Sequence, residues 1–181
     1  MVYERKERKP VIETERKYLI KTPDFSLIEG LDGYSRRDFE QTYLASEKGV
    51  TRRVRLSREN GKTSYIYNEK RRISPISCIE DEREISEDEY RVLLTEKEPC
   101  TETVVKTRRT FLFGGQLFEI DSYPFSPDVC VCETELESES DAAVFPDFIQ
   151  IIREVSGEKE YSNHSIAKRL YGRLPIFCME K

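Results

Sequence analysis

Charged residues of one sign recur two positions apart along this chain: Glu13/Glu15, Arg53/Arg55, Glu82/Glu84, Lys106/Arg108, Glu119/Asp121 and Glu133/Glu135. On an extended strand, side chains at i and i+2 share a face, so each pair presents two like charges to one side. Lys17 joins Glu13 and Glu15 on theirs. About ten same-sign pairs at this spacing arise by accident at such a composition, and any one of them reads most simply as a solvated strand face. Accident does not place a pair on nearly every predicted strand. Several of those strands also carry apolar residues on the opposite face. If the apolar faces pack outward, the ionic faces line the inside of a closed sheet.

An interior lined by both signs has a physical requirement, because an unpaired buried charge costs several kcal/mol. The basic set, Lys17, Arg53, Arg55, Lys70, Lys106 and Arg108, suits a row of phosphates, with Arg as a fork and Lys as a point charge. The carboxylates repel such an anion unless divalent cations bridge them to it. Hard oxygen donors select Mg2+ or Mn2+ over zinc. The ligand these residues predict is a polyphosphate–metal complex.

The elements that position them follow from periodicity and turn chemistry. Residues 11–20 read as a strand, with Glu13, Glu15 and Lys17 on one face and Tyr18 and Ile20 on the other. A short helical or irregular segment surrounds Phe25, Ile28 and Leu31, and residues 39–44 form a second strand. Asn60-Gly61 marks a hairpin between residues 51–57 and 63–67. Residues 79–85 form a strand with Glu80, Glu82 and Glu84 on one face. Ser86-Glu87-Asp88-Glu89 is a capping box opening a helix striped by Tyr90, Leu93 and Leu94. Residues 103–113 and 116–123 form a second hairpin about Gly114-Gly115, and 129–136 the last strand. On that strand Cys130, Cys132 and Leu136 oppose Glu133 and Glu135, so the cysteines read as small packing residues. Phe148, Ile151, Ile152 and Val155 repeat at i, i+3, i+4, i+7 and predict a helix. Asn163 caps a final helix that turns Ile166, Ala167 and Leu170 inward and ends at Gly172. The expected class is α+β: an eight-stranded antiparallel closed barrel with helices packed outside.

The totals agree with one domain over 11–181 behind a charged leader at 1–10. A net charge of -5 argues against a dedicated nucleic-acid binder. No apolar run is long enough for a membrane span, and no signal peptide is read at the start. Five cysteines, an odd number without C-x-x-C, fit reduced thiols and a cytoplasmic protein. The single histidine, His164, reads as a surface or capping residue.

Glu13-x-Glu15-x-Lys17 resembles the signature of the CYTH superfamily, the triphosphate tunnel metalloenzymes. The similarity continues, in order, through Gln41-Thr42-Tyr43-Leu44, Arg53-Val54-Arg55, Glu69-Lys70, Glu82-x-Glu84-Ile85, Lys106-Thr107-Arg108, Phe118-Glu119-Ile120-Asp121, Glu133-Thr134-Glu135-Leu136 and Tyr161-Ser162-Asn163. The resemblance implies a tunnel open at both ends and metal-dependent hydrolysis or cyclisation of a triphosphate. It implies that Glu13, Glu15, Asp121, Glu133 and Glu135 serve the metal, with Glu119 a further tunnel acid. By the same resemblance Lys17, Arg53, Arg55, Lys70, Lys106 and Arg108 bind phosphate, and Glu82 and Glu84 are tunnel acids placed in the catalytic set. Lys17 among other cations is expected to have a lowered pKa, and Lys17 with Tyr43 to help take a proton from water. Glu160 stands just before Tyr161, where relatives often carry a basic residue; Lys159 lies one step earlier. Inorganic tripolyphosphate is the expected substrate. ATP cyclisation, thiamine triphosphate hydrolysis and plain polyphosphate or nucleotide binding are the alternatives. The partner expected is a small-molecule triphosphate, with neither nucleic acid nor membrane, and the protein a monomer or homodimer.

Overall fold

The computed structural model describes residues 11–177, with Val11, Ile12 and Glu13 described by backbone alone. The leader expected at 1–10, Cys178 and the Glu13 side chain lie outside the described residues. The elements are β1 (Val11–Lys21), β2 (Ser35–Leu44), β3 (Val50–Glu59), β4 (Lys62–Arg72), β5 (Ser77–Ile85), α1 (Glu87–Leu94), β6 (Val104–Phe113), β7 (Gln116–Tyr123), β8 (Ser126–Glu135), β9 (Ile151–Glu154) and α2 (Asn163–Tyr171).

Local chemistry sets the two tight turns. Asn60 and Gly61 both take positive φ, 49° and 76°, as do Gly114 and Gly115, 58° and 77°. Two successive left-handed residues make the turn whose twist matches paired strands. They join β3 to β4 and β6 to β7 in uninterrupted antiparallel register. The ladder then runs β5-β4-β3-β2-β6-β7-β8-β1, and β1 pairs back onto β5. The eight strands thus close, which removes the sheet edges.

The seam lies on β1. Its residues 11–14 pair with β5, and residues 18–20 pair with β9 along the same edge. Between them Glu15 N–H donates to Ile76 O at 3.0 Å and Val155 N–H to Lys17 O at 2.8 Å. Here the helix expected through Phe148–Val155 is corrected: residues 151–154 are the ninth strand, outside the barrel. The 3.6-residue spacing of four apolar residues does not outweigh the open hydrogen-bonding edge of β1, which a strand satisfies and a helix does not. The final helix is capped by Ser162, whose side chain accepts from Ser165 N–H; Asn163 is its first residue and instead accepts from the Tyr123 hydroxyl at 2.9 Å. Strands β2 and β8 start earlier than the sequence suggested, at Ser35 and Ser126.

Three apolar clusters hold the helices and loops to the sheet. Ile20, Phe118, Ile120, Cys130 and Cys132 are fully buried under Phe25, Phe145 and Phe148 on the outer wall. Burying each such large side chain contributes roughly 1.5–3 kcal/mol. Leu44, Val54 and Ile85 receive Tyr90 of α1. The third cluster sets Ile166 and Ala167 of α2 on Leu19, Val104 and Val131. Those three share parity with Lys17, Lys106 and Glu133, so they face inward. The interior face is therefore ionic along the barrel and apolar at one end, where α2 covers it.

Candidate active site

A cavity of about 630 Å³ occupies the barrel. Strand alternation delivers its lining: Glu15 and Lys17 from β1, Tyr43 from β2, Arg53 and Arg55 from β3, Lys70 from β4, Glu82 from β5, Arg108 from β6, Glu119 from β7, and Glu133 and Glu135 from β8. These eleven are the sequence candidates that reach the lining; Arg37, Phe39, Thr51, Ile66, Cys78 and Glu80 of the same strands line it too.

The charges are held by one another. Arg108 is the centre of the acidic half. Its Nε and Nη2 donate to the two Asp121 oxygens at 2.7 Å each, and Nη2 also reaches Glu133 at 2.8 Å. Its Nη1 donates to Glu119. Glu133 in turn pairs with Lys17 at 2.8 Å, and Glu15 with Lys17 at 3.6 Å. Burial opposes the charge on Glu133, but Lys17 and Arg108 hold it well below the usual carboxylate range. Burial likewise disfavours the Lys17 ammonium, but Glu133 and Glu15 outweigh it and its pKa is raised. This corrects the expected lowering: the cations nearby in sequence pattern are not the groups nearest in space.

The basic half is built on Glu80, a buried carboxylate that the candidate set omitted. It takes Lys70 and Asn68, with Arg53 at 3.6 Å. Its signal was present, since it shares a face with Glu82 and Glu84. Arg55 pairs with Glu82 and lies over the Phe39 ring at 5.3 Å. Burial and then Arg53 push its guanidinium down to about 10. Glu82 is exposed at the rim, and Glu84 is exposed and does not line the cavity.

Lys106 and Asp121 sit behind the lining rather than on it. Lys106 Nζ meets Asp121 at 2.5 Å, with the residues 2% and 0% exposed. Burial first, then Arg108, brings the Lys106 ammonium down to about 8 despite Asp121. Arg108 and Asp121 form the bidentate arrangement that fixes a guanidinium most tightly. Toward α2 the cavity gains residues the sequence had not placed there: Arg72, Lys159, Lys168 and His164. Lys159 brings a cation to the loop where Glu160 had left a phosphate contact in question. His164 lies on the cavity lining, packed on Tyr43 with ring centroids 4.7 Å apart.

Oxygen donors collect at the other side. Glu15 and Glu135 are direct partners across β1 and β8, and Glu119 and Glu133 across β7 and β8. Partial burial, then the like charges of Glu119 and Glu15, raise the pKa of Glu135. Among the described residues no three carboxylates already converge as a ligand set. The donor chemistry nonetheless fits a hard divalent cation: carboxylates alone, mutually repelling, with Glu135 lacking an ion-pair partner among the described residues. Glu15, Glu119, Glu133 and Glu135 would hold it.

The described residues form a closed antiparallel barrel with a densely ionic interior of both signs. The CYTH domain family model matches residues 11–171, and the chain belongs to that family. Among solved structures, the inorganic triphosphatase NE1496 is 27% identical with a TM-score of 0.55, over 89% of this chain and 97% of that one. PH1819 from Pyrococcus horikoshii OT3 is 22% identical with a TM-score of 0.54, over 71% and 80%. A Hippeastrum protein, HpAC1, described as a putative adenylyl cyclase with a dominant triphosphatase activity, is 13% identical with a TM-score of 0.50, over 70% and 80%. The last two support the fold alone. A search of curated proteins returned no match. No helix among the described residues is long and apolar enough to cross a membrane.

Proposed function

We propose that the protein is a divalent-metal-dependent triphosphatase acting on inorganic tripolyphosphate inside the barrel. One observation carries this reading: Lys17, Arg53, Arg55, Lys70 and Arg108 line one cavity together with Glu15, Glu119, Glu133 and Glu135. The similarity to an inorganic triphosphatase supports the activity. In a medium of reduced dielectric these cations and a phosphate chain attract strongly, so the substrate is held in line.

The residues divide the work. Arg53, Arg55, Lys70 and Arg108 hold phosphate oxygens and stabilise the charge spread over them in a loose transition state. Lys17, with its raised pKa, enters as a fixed cation. Lys106 and Asp121 fix Arg108 from behind. Tyr43 presents its hydroxyl to the cavity and accepts from Gln41 Nε2 at 2.8 Å. A bound Mg2+ or Mn2+ neutralises phosphate oxygens and acidifies a water molecule.

The aromatic lining favours an inorganic substrate over an organic triphosphate. Phe39 is covered by Arg55 and by Lys106 Nζ at 5.9 Å, and Tyr43 carries His164 on its ring. Neither ring offers an open face on which a purine or thiamine base would stack. The test is phosphate release from tripolyphosphate, ATP and thiamine triphosphate with Mg2+ or Mn2+, with cyclic AMP measured alongside. Fastest release from tripolyphosphate, abolished by chelator, is the expected result. Cyclic AMP formation from ATP would replace this reading with a cyclase.

A further inference from the structure

The chain has one histidine, and the fold puts it on the cavity lining. His164 stands in the first turn of α2 and lines both the barrel cavity and an adjoining mouth cavity of about 490 Å³. Its Nε2 meets Glu98 Oε2 at 2.6 Å, and the other Glu98 oxygen takes Lys168 Nζ at 3.1 Å. Glu98 is itself fixed: its N–H donates to Tyr43 O at 2.9 Å, at the end of β2. Burial raises the Glu98 pKa, but His164 and Lys168 outweigh it, so the carboxylate stays ionised. The imidazole is thus held between an anchored carboxylate and the Tyr43 ring. Nδ1 has no hydrogen-bond partner among the described residues.

Resting on the triphosphatase reading, we propose that His164 is a proton-dependent phosphate-binding residue at the mouth of the barrel. In the imidazolium both nitrogens are donors: Nε2 holds Glu98, and Nδ1–H is left for a terminal phosphate oxygen. On deprotonation Glu98 keeps the proton on Nε2, and Nδ1 turns a lone pair toward the anion. The groups facing His164 are Glu98 beyond α1, Tyr43 on β2, Lys168 on α2, Lys159 before it, and Arg72, Glu47 and Lys48 around the mouth.

The sign follows from the bound state favouring the imidazolium. Affinity should therefore fall as pH rises and the ring loses its proton. KM for tripolyphosphate, measured from pH 6 to 9, should rise about tenfold more in the wild type than in His164→Gln. His164→Lys, a cation throughout that range, should restore the low KM and remove its inflection. Calorimetry of tripolyphosphate binding in two buffers of different ionisation enthalpy should show extra proton uptake near pH 7 in the wild type that His164→Gln lacks. Equal proton uptake and an unchanged KM profile in His164→Gln would overturn the proposal while tripolyphosphate is still hydrolysed. No binding or hydrolysis of tripolyphosphate by the wild type would overturn the triphosphatase reading instead.

Discussion

Arg108 grips Asp121 with two nitrogens, Nε on one carboxylate oxygen and Nη2 on the other, both at 2.7 Å. Lys106, two residues earlier on the same strand, meets the same carboxylate. The wall of the cavity is therefore an ion network whose members each depend on the next.

Removing one partner from such a network strands the rest. Arg108→Ala leaves Asp121 short of its main donor and Glu133 short of one of its two. Stability should fall by about 3–5 kcal/mol, and turnover with it. Arg108→Lys keeps the charge but loses the fork, and should recover less than half of that stability. Urea unfolding checks both; an alanine variant as stable as the wild type would show the pair to be ornamental.

The acid limb of the stability profile should come from Glu133 and Asp121. Both have folded pKa values below their ordinary ones, Glu133 through Lys17 and Arg108, Asp121 through Arg108 and Lys106. Their contribution is full above the unfolded carboxylate range and disappears as pH falls through the folded values. Urea midpoints between pH 6 and 2 should drop steeply in the wild type and less steeply in Glu133→Gln.

Glu135 should behave in the opposite sense. Its pKa is raised by partial burial and by Glu119 and Glu15, so its charge costs stability above its folded pKa and the cost is relieved on acidification. Glu135→Gln should raise the thermal midpoint in chelator by about 1–2 °C and reduce the increment that Mg2+ or Mn2+ gives the wild type. An undiminished metal increment would remove Glu135 from the ion's donors.

Arg55 should matter for affinity before rate. It is buried, stacked on Phe39 and directed into the cavity. Arg55→Ala should raise KM for tripolyphosphate about tenfold or more with a smaller change in kcat. A loss confined to kcat would place Arg55 in the transition state alone.

Much of this was legible beforehand because it is local. Asn60-Gly61 and Gly114-Gly115 fix two hairpins by backbone sterics alone. Strand alternation fixes which charges share a face. That is why Lys17, Arg53, Arg55 and Arg108 line one cavity. The segment at 148–155 misled because its four apolar residues repeat at helical spacing, while the unpaired stretch of β1 edge imposed a strand.

By itself the sequence determined the turns and the face each charge occupies, and so the mixed-sign interior, since these depend on neighbours two to four residues apart. Only the tertiary structure decided which carboxylate meets which cation: that Glu133 and Glu15 raise Lys17, that Glu80 anchors the basic wall, and that Lys106 and Asp121 stand behind the lining. It also carried His164 from a terminal helix onto Tyr43. The reason is physical. Coulomb energy and desolvation depend on distances across the barrel, and closure brings together residues that are far apart along the chain.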